Sequence, residues 1–215
     1  MSLSFPKLNQ VLLPVHGSGN YYHVNQIYCV GRNYRAHAQE MGSDDKMPPF
    51  FFTKPNWTIT TDDVKYPINT KDLQHEVELV VALGEDNSIF GFAIGVDLTR
   101  RDIQRKAKEN GKPWFSGKSF VGSAPISEII PIRDSEELLE LELRLKVNGE
   151  LRQSGSSSDM IWTPKEIIRE MATEIPLSHG DLIFTGTPAG VGPIYTGDII
   201  EASIPNRIEL YFRIT

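Results

Sequence analysis

One segment, Glu76–Leu83 with the sequence EVELVVAL, constrains the fold of this chain more than any other. Side chains along a strand alternate between the two faces of a sheet, so the apolar residues at positions 77, 79, 81 and 83 share one face. The other face carries Glu76 and Glu78, followed by Val80 and Ala82. Because apolar residues continue on both faces, the segment predicts a strand that is covered on both sides and begins with two carboxylates.

Several other segments predict strands, and the turns between them predict hairpins. Gly84–Asn87 separates the first strand from an apolar run at Phe92–Val96, and Asn148-Gly149 lies between two further strand candidates. Asn-Gly between two such runs is a strong hairpin signal. The other predicted strands are Ile27–Val30, Leu141–Val147, Ile183–Phe184, Ile199–Ile204 and Arg207–Ile214.

Helices are fewer and do not alternate regularly with the strands. We predict short helices over Arg32–Met41 and Thr99–Asn110, and a third that begins with a capping box formed by Thr163 and Glu166. The pattern therefore predicts an α+β domain dominated by antiparallel or mixed sheet, with a simple β-sandwich as the alternative.

Length and hydropathy limit how this domain is organised. The chain has 215 residues, and domains commonly contain about 100–200, so we expect one domain at 21–215 preceded by an arm at 1–20. The longest uninterrupted apolar run, Leu79–Leu83, has five residues. A membrane-spanning helix needs about 20. The first residues also lack the pattern of a secretory signal, so we expect neither membrane insertion nor secretion.

Charge and cysteine content limit the possible partners. The 28 acidic residues exceed the 22 basic ones, for a formal net charge of −6, which disfavours non-specific binding to nucleic acid. Cys29 is the single cysteine, so an intrachain disulfide and a thiolate-rich metal site are both excluded. A reducing, cytoplasmic location is the simplest expectation. Any metal site would consist mainly of carboxylates.

Glu76 and Glu78 are the first candidates for such a site. Two carboxylates on a covered face lose hydration and repel each other, so they need a raised pKa, a basic partner or a bound cation. Asp97 follows the run Phe92–Val96 and would complete an all-oxygen site, which suits Mg²⁺, Mn²⁺ or Ca²⁺ better than zinc. The alternatives are an exposed Glu-x-Glu at a strand end and an Asp97 that only caps the helix predicted from Thr99.

Other candidates for catalysis lie outside these strands. His37 and Glu40 share a helix face, where the carboxylate would orient the imidazole as a general base. An exposed helix face is the alternative. Lys118, flanked by Gly117, could neutralise a developing oxyanion or extend into water. The glycine-rich loop Thr185–Pro193 could hold a small carboxylate through its backbone N–H groups, or could be a plain connection.

Six segments, in the same order along the chain, resemble motifs of the fumarylacetoacetate hydrolase family. They are Gly31–Tyr34 with His37 and Glu40, Phe51–Pro55, His75–Leu79, Gly95–Asp102, Gly117–Phe120 and Thr185–Pro188. The short chain resembles the small single-domain branch of that family, which includes acylpyruvases and oxaloacetate decarboxylases.

The resemblance implies a mixed β-roll or β-sandwich fold of this family's type, with a few short helices and usually dimeric. It implies a catalytic domain over 21–215 that binds a small anionic 2-oxo acid. The net charge and the short apolar runs predict that the partners include neither nucleic acid nor a membrane. The implied metal is Mg²⁺ or Mn²⁺, and the implied ligands are Glu76, Glu78 and Asp97. The implied catalytic residues are His37, Glu40 and Lys118, and the implied substrate-binding residues are Arg32, Gln104 and Thr187.

The activity expected from this resemblance is metal-dependent hydrolysis of a C–C bond in acylpyruvate-type 2,4-dioxo acids through a metal-stabilised pyruvate enolate. The same chemistry would also decarboxylate oxaloacetate. The first alternative is an isomerase, tautomerase or decarboxylase of 2-oxo or 2-hydroxy-dienoate acids from aromatic catabolism. The second, from another functional class, is a metal-binding β module without catalytic activity, which would have no pocket around Lys118.

Overall fold

The computed structural model describes residues 10–36 and 49–215. Three α-helices lie entirely within these residues: α1 (Arg101–Glu109), α2 (Phe115–Lys118) and α3 (Pro164–Met171). The strands are β1 (Leu12–Pro14), β2 (Tyr21–His23), β3 (Ile27–Gly31), β4 (Phe50–Lys54), β5 (Ile59–Thr60), β6 (Leu73–His75), β7 (Val77–Leu83), β8 (Ile89–Val96), β9 (Thr99–Arg100), β10 (Ala124–Pro125), β11 (Ile130–Pro131), β12 (Glu142–Val147), β13 (Glu150–Ser156), β14 (Leu182–Phe184), β15 (Gly192–Pro193), β16 (Ile199–Ile204) and β17 (Ile208–Arg213). Single 3₁₀ turns lie at Asn56–Thr58, Glu85–Asn87, Ser135–Leu138 and Ser157–Asp159.

Two sheets account for most of the architecture. The larger has six strands in the order β11-β8-β7-β14-β3-β4, and it is mixed because β14 runs parallel to β3 but antiparallel to β7. The second has four antiparallel strands in the order β13-β12-β16-β17. The predicted α+β class with mixed sheet and few short helices is therefore confirmed.

Apolar side chains cover both faces of the six-stranded sheet. The cluster between the two large sheets includes Val77, Leu79, Val81 and Leu83 from β7 and Leu143, Leu145 and Val147 from β12. The cluster on the opposite face includes Val80 and Ala82 from β7, Leu182 and Phe184 from β14, and Leu13 from β1. Strand β7 is consequently buried along its whole length, as its apolar residues on both faces predicted.

The predicted hairpins and the predicted helix cap are present. Strands β7 and β8 pair antiparallel, with Val77 opposite Val96. Strands β12 and β13 are joined by Asn148 and Gly149, whose φ angles of 53° and 79° are those of a tight hairpin turn. Helix α3 begins with the predicted capping box, in which Thr163 is the N-cap.

The region around Asp97 differs from the prediction. The helix expected from Thr99 begins at Arg101, because Thr99 and Arg100 pair with β6 as strand β9. The N-cap of α1 is Arg100, without a side-chain cap, so Asp97 does not cap this helix. The alternative of Asp97 as a capping residue is therefore wrong, and its carboxylate has another role.

Two predictions concern the first part of the chain. Five residues of the predicted helix over Arg32–Met41 are described, and no helix begins at Arg32, because Arg32 has a φ of +63° and Tyr34 forms a β-bridge with Met160. The other five residues, among them His37 and Glu40, lie outside the described part of the chain. Strand β1 pairs antiparallel with β2 and contributes Leu13 to the buried cluster on the sheet. The division into an arm at 1–20 and a catalytic domain at 21–215 stays a prediction.

Candidate active site

The three predicted carboxylates lie together at one end of the β7–β8 hairpin. Glu76 immediately precedes β7, Glu78 lies within it, and Asp97 immediately follows β8. The Asp97 backbone N–H donates to the Glu76 carbonyl oxygen at 2.8 Å and so extends the pairing of the two strands. One oxygen atom from each carboxylate lies within 4.8 Å of the others, and all three residues are buried. The exposed Glu-x-Glu alternative is therefore wrong.

Three cationic side chains from separate elements contact this carboxylate cluster (Glu76, Glu78 and Asp97). Lys118 Nζ lies 2.6 Å from Glu76 Oε2 and 2.5 Å from Asp97 Oδ2. Lys54 Nζ lies 2.7 Å from Asp97 Oδ1, and Arg101 Nη2 donates to Glu76 Oε1. All three cations are themselves buried. Burying ions is costly without compensation, so the opposite charges are needed to keep this cluster inside the protein.

Two of these cations, Lys54 and Arg101, were missed by the sequence analysis. Both lie within segments that carry the family resemblance, Phe51–Pro55 and Gly95–Asp102. Their location within these segments is the one feature of the sequence that could have identified them. The spacing of Lys54 and Arg101 along the chain does not relate either residue to the carboxylates. Lys54 is fully buried, and its Nζ also donates to the Ser123 carbonyl oxygen at 3.0 Å. A buried lysine cannot be told from an exposed one by residue type alone, because lysine is usually at the surface.

Glu78 has a different environment from the other two carboxylates. Its Oε2 accepts a hydrogen bond from the Gly186 backbone N–H at 2.7 Å, and no cationic side chain of the described residues donates to it. Burial raises the pKa of Glu78 well above its usual value, and the negative charges of Asp97 and Glu76 raise it further. A cation bound beside Glu78 would relieve this repulsion.

The loop after β14 supplies the hydrogen bond to Glu78. Gly186 has a φ of +100°, and a Cβ there would lie 2.8 Å from the Asn33 Cβ. Only glycine adopts this conformation readily and fits this close approach. In the structure the loop contacts the side-chain carboxylate of Glu78, and the predicted binding of a small carboxylate by this loop stays a prediction. The next threonine, Thr187, accepts a hydrogen bond from Gln153 Nε2 at 2.8 Å.

A close contact between helices α1 and α2 determines where Lys118 lies. Gly117 packs against Gln104, such that a Cβ on Gly117 would come within 2.9 Å of the Gln104 Cβ. Gln104 in turn accepts a hydrogen bond from Arg101 Nη1 at 2.7 Å. Glycine at this position therefore allows α2 to approach α1 and brings the Lys118 ammonium to the carboxylates.

The carboxylate cluster faces a cavity that also contains the residues expected at the substrate. Arg32, Gln104, Lys118 and Thr187 all line it. The remaining lining residues are Val30, Gly31, Phe50, Phe52, Arg101, Lys108 and Trp114. A cavity beside Lys118 counts against the metal-binding module without catalytic activity.

His75, which adjoins Glu76 in sequence, is not part of the cluster. Its Nδ1 lies 2.8 Å from Gln153 Oε1, which also accepts the Val77 backbone N–H. Burial lowers the pKa of His75 below its usual value. The His75 imidazole is therefore paired with Gln153 and not with the carboxylate cluster.

The donor set of the cluster suits a divalent cation. It offers oxygen atoms only, which Mg²⁺, Mn²⁺ and Ca²⁺ prefer. Each carboxylate oxygen has more than one acceptor position, so a hydrogen bond from Lys118 leaves room for a metal on the same group. The residues present therefore fit such an ion.

Among the described residues, the helices are all too short or too polar to cross a membrane.

Comparison with known proteins agrees with the fold. Residues 26–215 match the family model for the fumarylacetoacetate (FAA) hydrolase C-terminal domain. The oxaloacetate tautomerase FAHD1, mitochondrial, of Mus musculus is 41% identical over 200 residues, which cover 87% of this chain and 90% of the mouse protein. The oxaloacetate decarboxylase, mitochondrial, of Dictyostelium discoideum is 35% identical over 192 residues, which cover 83% of this chain and 88% of that protein.

A solved structure extends the comparison to the whole fold. The fumarylpyruvate hydrolase of Pseudomonas aeruginosa, in complex with Mn²⁺ and pyruvate, matches with a TM-score of 0.95 and 37% sequence identity. The match covers 100% of this chain and 99% of that one. With sequence and structure in agreement over most of its length, the chain belongs to the fumarylacetoacetate hydrolase family.

Proposed function

We propose that this protein is a divalent-metal-dependent enzyme that hydrolyses the C–C bond of acylpyruvate-type 2,4-dioxo acids. The observation that carries the proposal is the buried carboxylate cluster, which shares one cavity with Lys118, Gln104 and Thr187. The fumarylpyruvate hydrolase of similar structure, in complex with Mn²⁺ and pyruvate, supports both the reaction class and the metal.

The metal site in this proposal consists of Glu76, Glu78 and Asp97. A Mg²⁺ or Mn²⁺ ion bound there would supply Lewis-acid polarisation of a carbonyl oxygen. Glu78 is held in place by the Gly186 N–H group, and Lys118 bridges Glu76 and Asp97. The protein thereby fixes the ligand orientation before substrate arrives, which is the preorganisation that electrostatic catalysis requires.

The hydrolytic reaction assigns roles to the remaining residues. His37, oriented by Glu40, takes a proton from water, and the resulting hydroxide adds to the distal carbonyl carbon. The bond from that carbon to the methylene carbon then breaks, and its electron pair forms the enolate of pyruvate. Lys118 stabilises the negative charge on the enolate oxygen. The proton taken from water returns to the methylene carbon, which gives pyruvate, and the distal fragment leaves as a carboxylic acid.

A second candidate is tautomerisation or decarboxylation of oxaloacetate. The names of relatives that are 35–41% identical to this chain favour it. Loss of CO₂ from oxaloacetate forms the same pyruvate enolate. Tautomerisation of oxaloacetate moves a proton between the methylene carbon and the oxygen of the neighbouring keto group. Neither reaction needs an attacking water, so both use Lys118 and the metal ligands without hydrolysis. The same proton transfer would serve an isomerase of 2-hydroxy-dienoate acids.

A substrate panel distinguishes these candidates. We expect the protein with Mg²⁺ or Mn²⁺ to release pyruvate from acetylpyruvate and fumarylpyruvate, measured with a lactate dehydrogenase coupled assay, and to lose this activity with EDTA. Oxaloacetate is followed in parallel by the ultraviolet absorbance of its enol and by pyruvate formation. Catalysed enol–keto conversion of oxaloacetate without pyruvate release from either acylpyruvate would replace the first candidate with the second.

The role of His37 gives a second way to separate the reactions. We expect His37→Ala to lower acylpyruvate hydrolysis by about 10²–10⁴-fold, the usual contribution of a general base, and oxaloacetate decarboxylation far less. The exposed His23→Ala is the matched control, with no loss expected in either reaction. Equal losses in both reactions would mean that His37 positions substrate and does not activate water.

The expected homodimer belongs to the same proposal. Light scattering on the purified protein measures its mass directly, and a monomer of 24.2 kDa would contradict it.

A further inference from the structure

Two basic side chains at the cavity differ from the cations described above. Arg32 and Lys108 line the cavity, and each is in part open to solvent. Within residues 10–36 and 49–215, neither forms an ion pair with a carboxylate. Lys54, Arg101 and Lys118, in contrast, are each bound to the carboxylate cluster. The structure therefore has two cations in the cavity that are available to an anionic ligand.

The two cations lie on neighbouring aromatic rings. The Arg32 guanidinium carbon is 5.4 Å from the centroid of the Phe50 ring, and Lys108 Nζ is 4.6 Å from that of Trp114. The Phe50 and Trp114 rings meet edge to face, with centroids 4.9 Å apart. Aromatic faces attract such cations and limit where their side chains lie. Arg32 and Lys108 are thereby held on the same wall of the cavity.

The same aromatic wall reaches the carboxylate cluster. The Phe52 ring lies 5.9 Å from that of Trp114, and Lys118 Nζ lies 5.2 Å from the Phe52 centroid. The Phe50, Phe52 and Trp114 rings are mutual neighbours, with centroids 4.9–6.4 Å apart, and Arg32, Lys118 and Lys108 each lie on a different one of them. A ligand that lies along this wall with its 2-oxo acid group at the cluster would extend its far end toward the two cations.

The local charge around Lys108 favours an anion. Partial burial lowers the pKa of Lys108 to about 8, and the positive charges of Arg101, Lys118 and Arg32 contribute to the change. An ammonium group among other cations is stabilised when a carboxylate binds beside it. Hydrogen bonds between an ammonium group and a carboxylate are also stronger than those between neutral groups.

We propose that Lys108, together with Arg32, binds the distal carboxylate of a dianionic 2-oxo acid and makes the enzyme prefer dicarboxylate over monocarboxylate substrates. This inference rests on the proposed function, because it assumes that the 2-oxo acid group lies at the carboxylate cluster. It assigns Lys108 as a specificity-determining residue for that site.

Binding of a matched pair of ligands tests the proposal independently of turnover. 2-Oxoglutarate and 2-oxopentanoate have chains of equal length and differ at the distal carboxylate. We expect the Mn²⁺-loaded protein to bind 2-oxoglutarate about tenfold more tightly by calorimetry, which corresponds to about 1.4 kcal/mol. Lys108→Met should abolish this preference, and Lys108→Arg should keep most of it. Lys106→Met, an exposed residue of the same helix outside the cavity, is the control.

Kinetics distinguish a failure of this inference from a failure of the proposed function. In Lys108→Met, the ratio of kcat/KM for fumarylpyruvate to that for acetylpyruvate should fall about tenfold, mainly through KM. The role of Lys108 would be overturned by an unchanged ratio of kcat/KM values. It would also be overturned if the wild-type protein bound both ligands of the matched pair equally. Neither result would contradict the proposed hydrolytic function. Absence of turnover on every 2-oxo acid would instead overturn the proposed function, and the calorimetric comparison would still decide whether Lys108 recognises a carboxylate.

Discussion

Glu78→Gln is expected to abolish catalysis and the thermal stabilisation by Mg²⁺ or Mn²⁺, while the metal-free protein stays as stable as the wild type or becomes more stable. Glutamine keeps an oxygen that accepts the Gly186 N–H hydrogen bond, so the loop after β14 should be retained. It removes the negative charge that Asp97 and Glu76 repel inside the protein. Removal of that repulsion explains why the metal-free variant should not lose stability.

The expected loss of activity follows from the contribution of the metal. Because Lewis-acid stabilisation is worth several kcal/mol, we expect kcat to fall by about 10³-fold or more. Thermal unfolding followed by circular dichroism, with and without Mn²⁺, measures the loss of metal binding separately from activity. Glu85→Gln, at an exposed position just after β7, is the control and should keep the metal response of the wild type. A Glu78→Gln protein that is stabilised by Mn²⁺ as strongly as the wild type would contradict the assigned metal site.

Lys54→Met is expected to give the largest loss of stability. Lys54 is fully buried, and its ammonium group contacts Asp97 Oδ1 at 2.7 Å and the Ser123 carbonyl oxygen at 3.0 Å. Methionine fills a similar volume but leaves Asp97 with one cationic partner fewer. Removal of one partner of a buried ion pair costs about 3–5 kcal/mol, so we expect a loss of this size in the free energy of unfolding.

Urea denaturation measures this loss, and two further variants show its cause. Lys146→Met, at an exposed position of strand β12, should change the free energy of unfolding by less than about 0.5 kcal/mol. The double variant Lys54→Met/Asp97→Asn should be more stable than the sum of the two single changes predicts, because it also removes the uncompensated charge. Additive effects would mean that Lys54 stabilises the fold through its carbonyl contacts and not through Asp97.

Local rules predicted several elements of this protein because neighbouring residues determine them. The alternation of side chains along a strand placed Glu76 and Glu78 on one face, and the Asn148-Gly149 pair predicted the turn between β12 and β13. The capping box at Thr163 depends on residues within one helical turn. The position of Asp97 beside the two glutamates followed from the β7–β8 hairpin, which is also a local feature.

The electrostatic partners of the carboxylates could not be predicted in the same way. Lys54 ends strand β4, Arg101 begins α1 and Lys118 ends α2, so they reach the cluster from separate elements. Nothing in their spacing indicates that their charges meet inside the protein. Lys108 is a similar case, because its place in the cavity depends on how Trp114 packs against Phe50.

The sequence by itself determined the sheet-rich class, the family resemblance and the three carboxylates, since each depends on short segments and on their order along the chain. The tertiary structure decided which cations neutralise those carboxylates, that the glycine-rich loop holds Glu78, and that Lys108 and Arg32 share a wall of the cavity. The physical reason is the range of the interactions. Hydrogen bonds within hairpins and helix caps join residues close in sequence, whereas burial and charge pairing act between any residues that the packed sheets bring together.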